Sequence, residues 1–166
     1  PPADIHVLIH PTSTVHATVE YVDGSILAHL GPADMQVPIA HAFAVAAANL
    51  GHQINRLPLS VPSLSLAKMG KLEFFEVDER RFPALPLAYS ALEQGQGACL
   101  VLNAANEVAV AAFLSGAIRF VDIVSTVERA LQSEDLSNPR SMDEVFSKDA
   151  AVRAKVASLL SEGVAV

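Results

Sequence analysis

Hydrophobic and polar side chains alternate along residues 5 to about 31, which predicts β-strands because successive side chains of a strand point to opposite faces. The dipeptide Asp23-Gly24 interrupts this alternation and is typical of a two-residue β-hairpin turn. A two-residue turn sets the register of the two strands. The facing pairs that it predicts are Val22 with Ser25, Tyr21 with Ile26, Val19 with Ala28 and Thr18 with His29.

The same alternation divides the side chains of the hairpin between two faces. One face is apolar and is expected to be core: Val15, Ala17, Val19, Tyr21, Ile26, Ala28 and Leu30. The other face is mixed: His16, Thr18, Glu20, Leu27 and His29. We expect the mixed face to meet water, a ligand or another subunit.

A helix follows the hairpin. An Ala-rich helix is predicted from residue 35 to about 49, with Asp34 placed to cap its start and Gly51 to end it. Residues 35–55 contain no Asp, Glu, Lys or Arg, but their amide and imidazole side chains argue against a membrane span and favour a buried helix followed by a loop. Two further segments complete this half of the chain, an irregular connection over residues 57–67 and a short strand over residues 71–77.

Beyond the predicted strand the apolar period becomes helical. Pro83 fits the first position of a helix. A second helix, over residues 102–114, is apolar nearly all round, and residues 120–131 repeat apolar side chains at the spacing of an amphipathic helix. A capping box at residues 141–144 predicts a short turn, after which Ser147 is expected to cap a last helix. Four helices with short links predict a small bundle.

These elements predict the α+β fold class, as a hairpin-containing sheet with a packed helix followed by a small four-helix-type bundle. The predicted organisation is a sheet region at residues 1–70, a connection at 71–81 and a C-terminal helical bundle domain at 82–166.

Composition narrows the class of protein. Of the 166 residues, 51% are hydrophobic and 17% charged, which supports a folded core and excludes a disordered chain. The net charge of −7 argues against nucleic acid and anionic membranes as partners. The single cysteine, Cys99, excludes an internal disulfide, and a reducing, cytoplasmic compartment is expected. The chain starts without Met or a signal peptide, so we expect it to be cut from a longer protein.

The candidate polar site lies between His10 and His16, with the hydroxyls of Thr12 and Ser13 between them. Imidazoles and hydroxyls in such a cluster can hydrogen-bond a phosphate or a sugar hydroxyl. The alternative is a pair of histidines at a strand edge whose hydrogen bonds the fold itself satisfies. A metal hydrolase that uses His10, His16 and Glu20 is a third hypothesis.

A second polar group interrupts an apolar helix at Asn103, Asn106 and Glu107. We interpret it as a source of interhelical or loop-anchoring hydrogen bonds, with ligand contact as the alternative. Cys99 has no obvious base nearby in the sequence and is interpreted as a core thiol. The chain contains neither GxGxxG nor a Walker loop, and the hairpin carries no close acidic cluster for a metal.

The order of several segments resembles the later part of the 1-deoxy-D-xylulose 5-phosphate (DXP) reductoisomerase family. The segments that carry the resemblance are His10-Pro11-Thr12-Ser13 with His16, Tyr21-Val22-Asp23-Gly24-Ser25, Gly31-Pro32-Ala33-Asp34-Met35, Pro38-Ile39-Ala40-His41, Phe82-Pro83, residues 102–114 and Phe120-Val121-Asp122-Ile123. Several motifs in a fixed order are more specific than any one of them.

The resemblance implies an NADPH-dependent oxidoreductase and isomerase of the non-mevalonate route to isoprenoids. Such enzymes rearrange the carbon skeleton of DXP and reduce the resulting aldehyde to 2-C-methyl-D-erythritol 4-phosphate. A divalent metal, Mg²⁺ or Mn²⁺, stabilises oxyanion character while the carbon–carbon bond shifts, and the cofactor supplies hydride.

The resemblance also implies site residues and partners. Ser13 and His16 match substrate-binding positions, and Asp34 and Met35 match positions beside the cofactor. The nucleotide-binding domain and the acidic metal ligands are expected to precede this segment, so we expect no complete catalytic set, no metal ligand, and no tight cofactor binding or turnover by this chain alone. A phosphosugar substrate and a homodimer formed through the sheet are the expected partners. The alternative function is a stand-alone, non-catalytic binding or oligomerisation module.

Overall fold

The computed structural model describes residues 2–52 and 60–163 and divides the chain into two compact units. The sheet unit comprises Val7–Val77, and the helical unit comprises Pro1–His6 together with Asp78–Val166. Strands and helices are both present, so the predicted α+β class is confirmed. The division between the units falls inside the predicted connection at residues 71–81.

The sheet unit contains two small antiparallel sheets. Its elements are β1 (Leu8–Ile9), β2 (Val15–Glu20), β3 (Ile26–Leu30), α1 (Gln36–Asn49), α2 (Leu66–Met69) and β4 (Phe75–Glu76). β2 and β3 form the predicted hairpin, and β1 pairs with β4 so that Leu8 lies opposite Glu76. The strand predicted over residues 71–77 is thus present in a shorter form.

The register of the hairpin differs from the prediction by one residue. Glu20 faces Ile26, so the predicted pairing of Tyr21 with Ile26 is wrong, as are the other predicted pairs. The Tyr21 N–H donates to the Ser25 carbonyl at 2.9 Å, and the loop between them has three residues, 22–24. Gly24 takes a φ of 80°, the left-handed conformation with which a three-residue hairpin loop ends.

The corrected register redistributes the faces, because directly opposite residues share a face of an antiparallel sheet. The residues that face one another are Ala17 with His29, Thr18 with Ala28, Val19 with Leu27 and Glu20 with Ile26. A register shift between Val15 and Ala17 marks a bulge at His16. The predicted apolar face is therefore not continuous. Nor is it core, since Val19 and Ile26 are 54% and 64% exposed.

Helix α1 forms where it was predicted. Its start is capped by Asp34, whose Oδ1 accepts the Gln36 N–H at 2.8 Å, and beyond its end Gly51 takes a φ of 81°. The helix nevertheless has no buried residue, so the prediction that it is a buried helix is wrong. Its apolar side chains are spread around the helix instead of forming one stripe.

The connection predicted over residues 57–67 lies partly outside the described residues. Its described part is irregular from residue 60 until α2 begins at Leu66. The hydroxyl of Ser65 caps this short helix by accepting the Lys68 N–H at 3.4 Å.

The helical unit contains the four predicted helices, α3 (Ala84–Gln94), α4 (Gln96–Leu114), α5 (Asp122–Ser133) and α6 (Met142–Gly163). Helix α4 begins before the predicted residue 102. Helix α6 begins at Met142, so the prediction that Ser147 caps it is wrong. The Ser147 hydroxyl donates to the Asp143 carbonyl at 2.6 Å inside the helix, while the hydroxyl of Ser141 accepts the Glu144 N–H at 3.2 Å and acts as the cap.

The core of this unit is built around α4, which contacts α3, α5 and α6. Its buried residues are Gly97, Ala98, Val101, Ala104, Ala105 and Ala109. The neighbouring helices add Ala91, Ile123, Val127, Ala130, Leu131, Val152 and Val156. By length and composition α4 is able to cross a membrane, with a mean hydropathy of 1.6, but its buried side chains pack against three helices as those of a bundle's core helix do.

Candidate functional site

His10, which directly follows β1 in the sheet unit, is held by three neighbours. Its Nδ1 lies 2.7 Å from the carbonyl oxygen of Glu73, and its Nε2 lies 3.0 Å from the hydroxyl of Thr12. The imidazole stacks on the ring of Phe74, with 4.5 Å between centroids and 14° between planes. The fold therefore uses both nitrogens of His10, as the alternative of an internally satisfied histidine anticipated.

Ser13 follows His10 across a tight turn. The Ser13 N–H donates to the His10 carbonyl at 2.9 Å, which closes a β-turn with Pro11 at its second position, where the fixed φ of proline fits. Ser13 itself takes a φ of 49°, in the left-handed region that residues other than glycine seldom adopt. Its side chain is exposed, so the hydroxyl is available to a ligand.

Two hydrogen bonds connect the segment of Ser13 and His16 to the loop that precedes α1. The Gly31 N–H donates to the carbonyl of Thr14, which is 5% exposed, at 3.0 Å. The Gly31 carbonyl accepts from His16 Nε2 at 3.2 Å, so this nitrogen carries a proton. The structure thus joins the predicted substrate-binding segment to the start of the predicted cofactor-binding segment.

The two predicted cofactor-binding residues differ in whether the fold already uses their side chains. The carboxylate of Asp34 accepts the Gln36 N–H, and its own N–H donates to the Pro32 carbonyl at 2.8 Å. Met35 immediately precedes α1, and its side chain is 71% exposed. Asp34 therefore shapes the turn into α1, whereas Met35 presents an apolar side chain to any group that binds beside it.

Sequence reasoning located two sets of neighbours in this region only in part or not at all. It placed His16 and His29 on the same mixed face but put His29 opposite Thr18, whereas the two rings lie 5.5 Å apart with 40° between planes. A three-residue loop ending at Gly24 would have placed His29 opposite Ala17, one residue closer to His16. The contacts of His10 with Glu73 and Phe74 depend on the pairing of β1 with β4, which no local pattern indicates.

The second polar group links two helices. Glu107 on α4 accepts from Arg153 on α6 at 2.7 Å and from Asn103 at 3.2 Å, and these bonds hold the pKa of Glu107 below its ordinary value. Arg153 also donates to Asp149 at 2.6 Å, and the two carboxylates raise its pKa. Interhelical hydrogen bonding, the favoured interpretation, is confirmed for Glu107. Asn106 lies apart from this network and lines an apolar cavity of about 250 Å³.

The hypothesis of a metal hydrolase is not supported. Within residues 2–52 and 60–163, no three His, Cys, Asp or Glu side chains come together as metal ligands, so His10, His16 and Glu20 do not form such a site. Cys99 is half-buried, with its Sγ 3.7 Å from the Ala91 carbonyl oxygen, as expected of a core thiol.

Comparison with known proteins identifies the family. A family model described as the DXP reductoisomerase C-terminal domain matches residues 30–155. The chain belongs to this reductoisomerase family. The match contains Asp34 and Met35, and the sequence resemblance to the later part of the family is confirmed.

Relatives extend the match toward both ends of the chain. The 1-deoxy-D-xylulose 5-phosphate reductoisomerase of Bordetella petrii is 48% identical over 162 residues, which are 96% of this chain and 39% of that protein. The reductoisomerase of Pseudomonas syringae pv. tomato is 47% identical over 152 residues, 92% of this chain and 36% of that protein. The chain therefore spans well under half the length of these reductoisomerases.

Solved structures give the same result for the fold. The reductoisomerase of Zymomonas mobilis in complex with NADPH matches with a TM-score of 0.79 and 40% identity, covering 93% of this chain and 39% of that one. A reductoisomerase structure with fosmidomycin and magnesium matches with a TM-score of 0.77 and 38% identity, covering 95% of this chain and 40% of that one.

Proposed function

We propose that this chain is part of an enzyme that rearranges DXP and reduces the product with NADPH to 2-C-methyl-D-erythritol 4-phosphate. The observation that carries the proposal is the agreement of sequence and fold with a reductoisomerase solved with NADPH, at 40% identity over 93% of this chain. The sheet unit contributes to the substrate and cofactor site. The helical unit completes the part of the chain that matches the reductoisomerase C-terminal domain, residues 30–155.

In this proposal Ser13 and His16 bind the substrate. The exposed hydroxyl of Ser13 can donate to or accept from a phosphate or sugar oxygen. His16 uses Nε2 to bind the Gly31 carbonyl, which fixes the ring and leaves Nδ1 to the ligand. Gly31, which precedes the loop of Asp34, is hydrogen-bonded to His16 and to Thr14, the neighbour of Ser13.

Met35 and Asp34 serve the cofactor side of the site. The exposed thioether of Met35 is suited to packing against a flat apolar ring, because methionine is flexible and polarizable. Asp34 holds Met35 in place by capping α1. NADPH, when bound, supplies the hydride for the reduction.

The chain supplies only part of the catalytic apparatus. The described residues contain no cluster that fits a divalent metal, so we propose that the ligands for Mg²⁺ or Mn²⁺ lie in the part of the reductoisomerase that this chain does not span. The NADPH-binding domain is placed there too. Residues 1–166 alone are therefore expected neither to turn over DXP nor to bind NADPH tightly.

The test compares residues 1–166 with the full-length protein that contains them, using the loss of NADPH absorbance as the readout. We expect the full-length protein to consume NADPH only when both DXP and Mg²⁺ are present, and the 166-residue chain to consume none. Failure of the full-length protein would refute the proposed activity and favour a binding or oligomerisation module. Turnover by the 166-residue chain would leave the proposed activity standing and refute only the proposal that this activity needs the rest of the reductoisomerase.

Substitutions in the full-length protein test the site. Ser13→Ala removes the hydroxyl, and His16→Gln keeps a donor for the Gly31 carbonyl while it removes Nδ1. Each should raise the KM for DXP about tenfold, the effect of one lost hydrogen bond to a charged ligand. Ser63→Ala makes the same chemical change at another exposed serine of the sheet unit and should leave KM unchanged.

We also propose a homodimer formed through the sheet, in the cytoplasm. The hairpin exposes Val19 and Ile26 on opposite faces, which is costly for an isolated protein and suits a covered surface. Sedimentation of the full-length protein tests this arrangement, with Ile26→Asp expected to yield monomers. Val22→Asp, at the fully exposed hairpin tip, should leave the dimer intact.

A location in the cytoplasm fits the free thiol of Cys99.

A further inference from the structure

The contacts of His10 determine which of its nitrogens carries a proton. A carbonyl oxygen can only accept, so the nitrogen 2.7 Å from the Glu73 carbonyl, Nδ1, must donate. In the neutral ring Nε2 is then an acceptor, and the Thr12 hydroxyl donates to it. The stacked ring of Phe74 fixes the plane of the imidazole. His10 is therefore a rigid link between the turn at residues 10–13 and the chain just before β4.

Ser13 needs such a link. Its left-handed backbone, at a φ of 49°, is unfavourable for a residue with a Cβ, and such conformations persist only where the surroundings impose them. On one side, the turn hydrogen bond ties Ser13 to His10. On the other side, Thr14 is buried and bonded to Gly31. Ser13 lies between two fixed residues, and His10 is the one fixed by its side chain.

We propose that His10 is a positioning residue that holds Ser13 in the left-handed conformation in which its hydroxyl reaches the substrate. The hydrogen bond from Nδ1 to the Glu73 carbonyl carries this role, and the stacking on Phe74 supports it. The inference rests on the proposed function, because it assigns to His10 an effect on a residue that binds DXP. His10 itself does not touch the substrate.

Two substitutions in the full-length enzyme separate hydrogen bonding from packing. His10→Phe keeps a ring to stack on Phe74 and loses both hydrogen bonds. His10→Asn places an amide N–H near the position of Nδ1 and loses the ring. If His10 positions Ser13, His10→Phe raises the KM for DXP about tenfold, as loss of the Ser13 hydroxyl does, and His10→Asn restores most of the affinity. The opposite order, with Phe close to the unsubstituted enzyme, overturns the proposal.

A double-mutant cycle tests whether His10 acts through Ser13. In the Ser13→Ala background there is no hydroxyl left to position, so His10→Phe should change KM by no more than about twofold. Full addition of the two effects overturns the proposal, because His10 would then act elsewhere. An unsubstituted enzyme without DXP-dependent NADPH consumption refutes the proposed function instead, so the two failures are distinguishable.

A spectroscopic measurement on the unsubstituted enzyme covers the case in which His10→Phe does not fold. The ¹⁵N shifts of labelled histidine distinguish the two neutral tautomers, and His10→Asn assigns the His10 signals by their disappearance. A proton on Nδ1 supports the proposal. A proton on Nε2 alone overturns it, because the hydrogen bond to the Glu73 carbonyl would then be absent.

Discussion

The backbone N–H of Gly97 donates to the side-chain Oδ1 of Asn138 at 2.9 Å, across 41 residues of sequence. Gly97 lies in the first turn of α4, where backbone N–H groups lack helical partners, and the residue before the helix, Gly95, has no side chain to cap them. The loop before α6 therefore supplies the cap that the local sequence omits. A Cβ on Gly97 would lie 2.3 Å from the carbonyl oxygens of Leu136 and Ser137.

Removal of the distant cap should destabilise the helical unit. Asn138→Ala leaves the Gly97 N–H without an acceptor, and the expected loss is about 1–2 kcal/mol in the free energy of unfolding. Urea unfolding followed by circular dichroism measures the change. Asn138→Asp keeps an oxygen acceptor near the positive end of the helix and should lose much less. Equal losses in both variants would show that the hydrogen bond is not responsible.

A side chain at Gly97 should be more harmful than the lost cap. Gly97→Ala places its Cβ against backbone atoms that cannot turn aside, so the loop must move, and we expect a loss of about 2–3 kcal/mol. Gly31→Ala is the control, since a Cβ there meets nothing within 4 Å. Thermal unfolding of both variants provides the comparison, and equal melting temperatures would contradict the close packing of loop and helix.

The centre of the helical unit should respond to the loss of two methyl groups from one buried valine. Val152 is 1% exposed, and Val152→Ala is expected to cost about 2 kcal/mol through lost burial and the cavity that remains. Val121→Ala makes the same change at a side chain that is 66% exposed and should cost little. Chemical denaturation of the two variants should therefore separate them clearly. Similar midpoints would place the core elsewhere.

Acid should weaken the same unit through Asp135. The hydroxyl and N–H of Ser137, with a further contribution from Lys148, lower the pKa of Asp135 from 3.8 to about 2. A carboxyl whose pKa is lower in the folded state stabilises the fold above its unfolded pKa and loses this contribution as the pH falls through the folded one. Melting temperatures should therefore fall as the pH drops from about 4 toward 2.

Two variants isolate this contribution. Asp135→Asn cannot ionise, so its melting temperature should depend less on pH in that window. Ser137→Ala removes the donor with the largest effect, which should return the pKa of Asp135 toward its ordinary value. Carboxyl carbon shifts followed through an acid titration measure this pKa directly. If the pKa of Asp135 is the same in Ser137→Ala as in the unsubstituted protein, the Ser137 hydroxyl is not what lowers it.

The sequence predicted elements better than their contacts. Helices α3 and α5 could be recognised because apolar side chains recur at a helical period after Pro83 and over residues 120–131, and α4 because residues 102–114 are apolar nearly all round. The hairpin was recognisable from Asp23-Gly24, but its register was not, because the same dipeptide fits a two-residue turn and a three-residue loop that ends at a left-handed glycine. One residue of difference exchanged the partners of a whole strand.

Exposure was the least predictable property. Alternation shows which side chains within one strand share a face, yet it does not show whether anything covers that face, and Val19 and Ile26 are exposed in this chain. In the candidate site too, the residues could be predicted but their contacts could not. Ser13 and His16 were identified by resemblance, whereas the bonds through Gly31 and the contact of His10 with Glu73 depend on residues far apart in sequence.

The small residues along the buried side of α4 have a consequence for how the helical unit can vary. Where a central helix presents Gly and Ala to its neighbours, backbone distance sets the spacing between helices, and little side-chain volume is available for exchange. Enlarging Ala104 or Ala105 would push whole helices apart. The helical unit is therefore least tolerant of added volume along this stripe and most tolerant on its outer faces, so an engineer should redesign it from the outside.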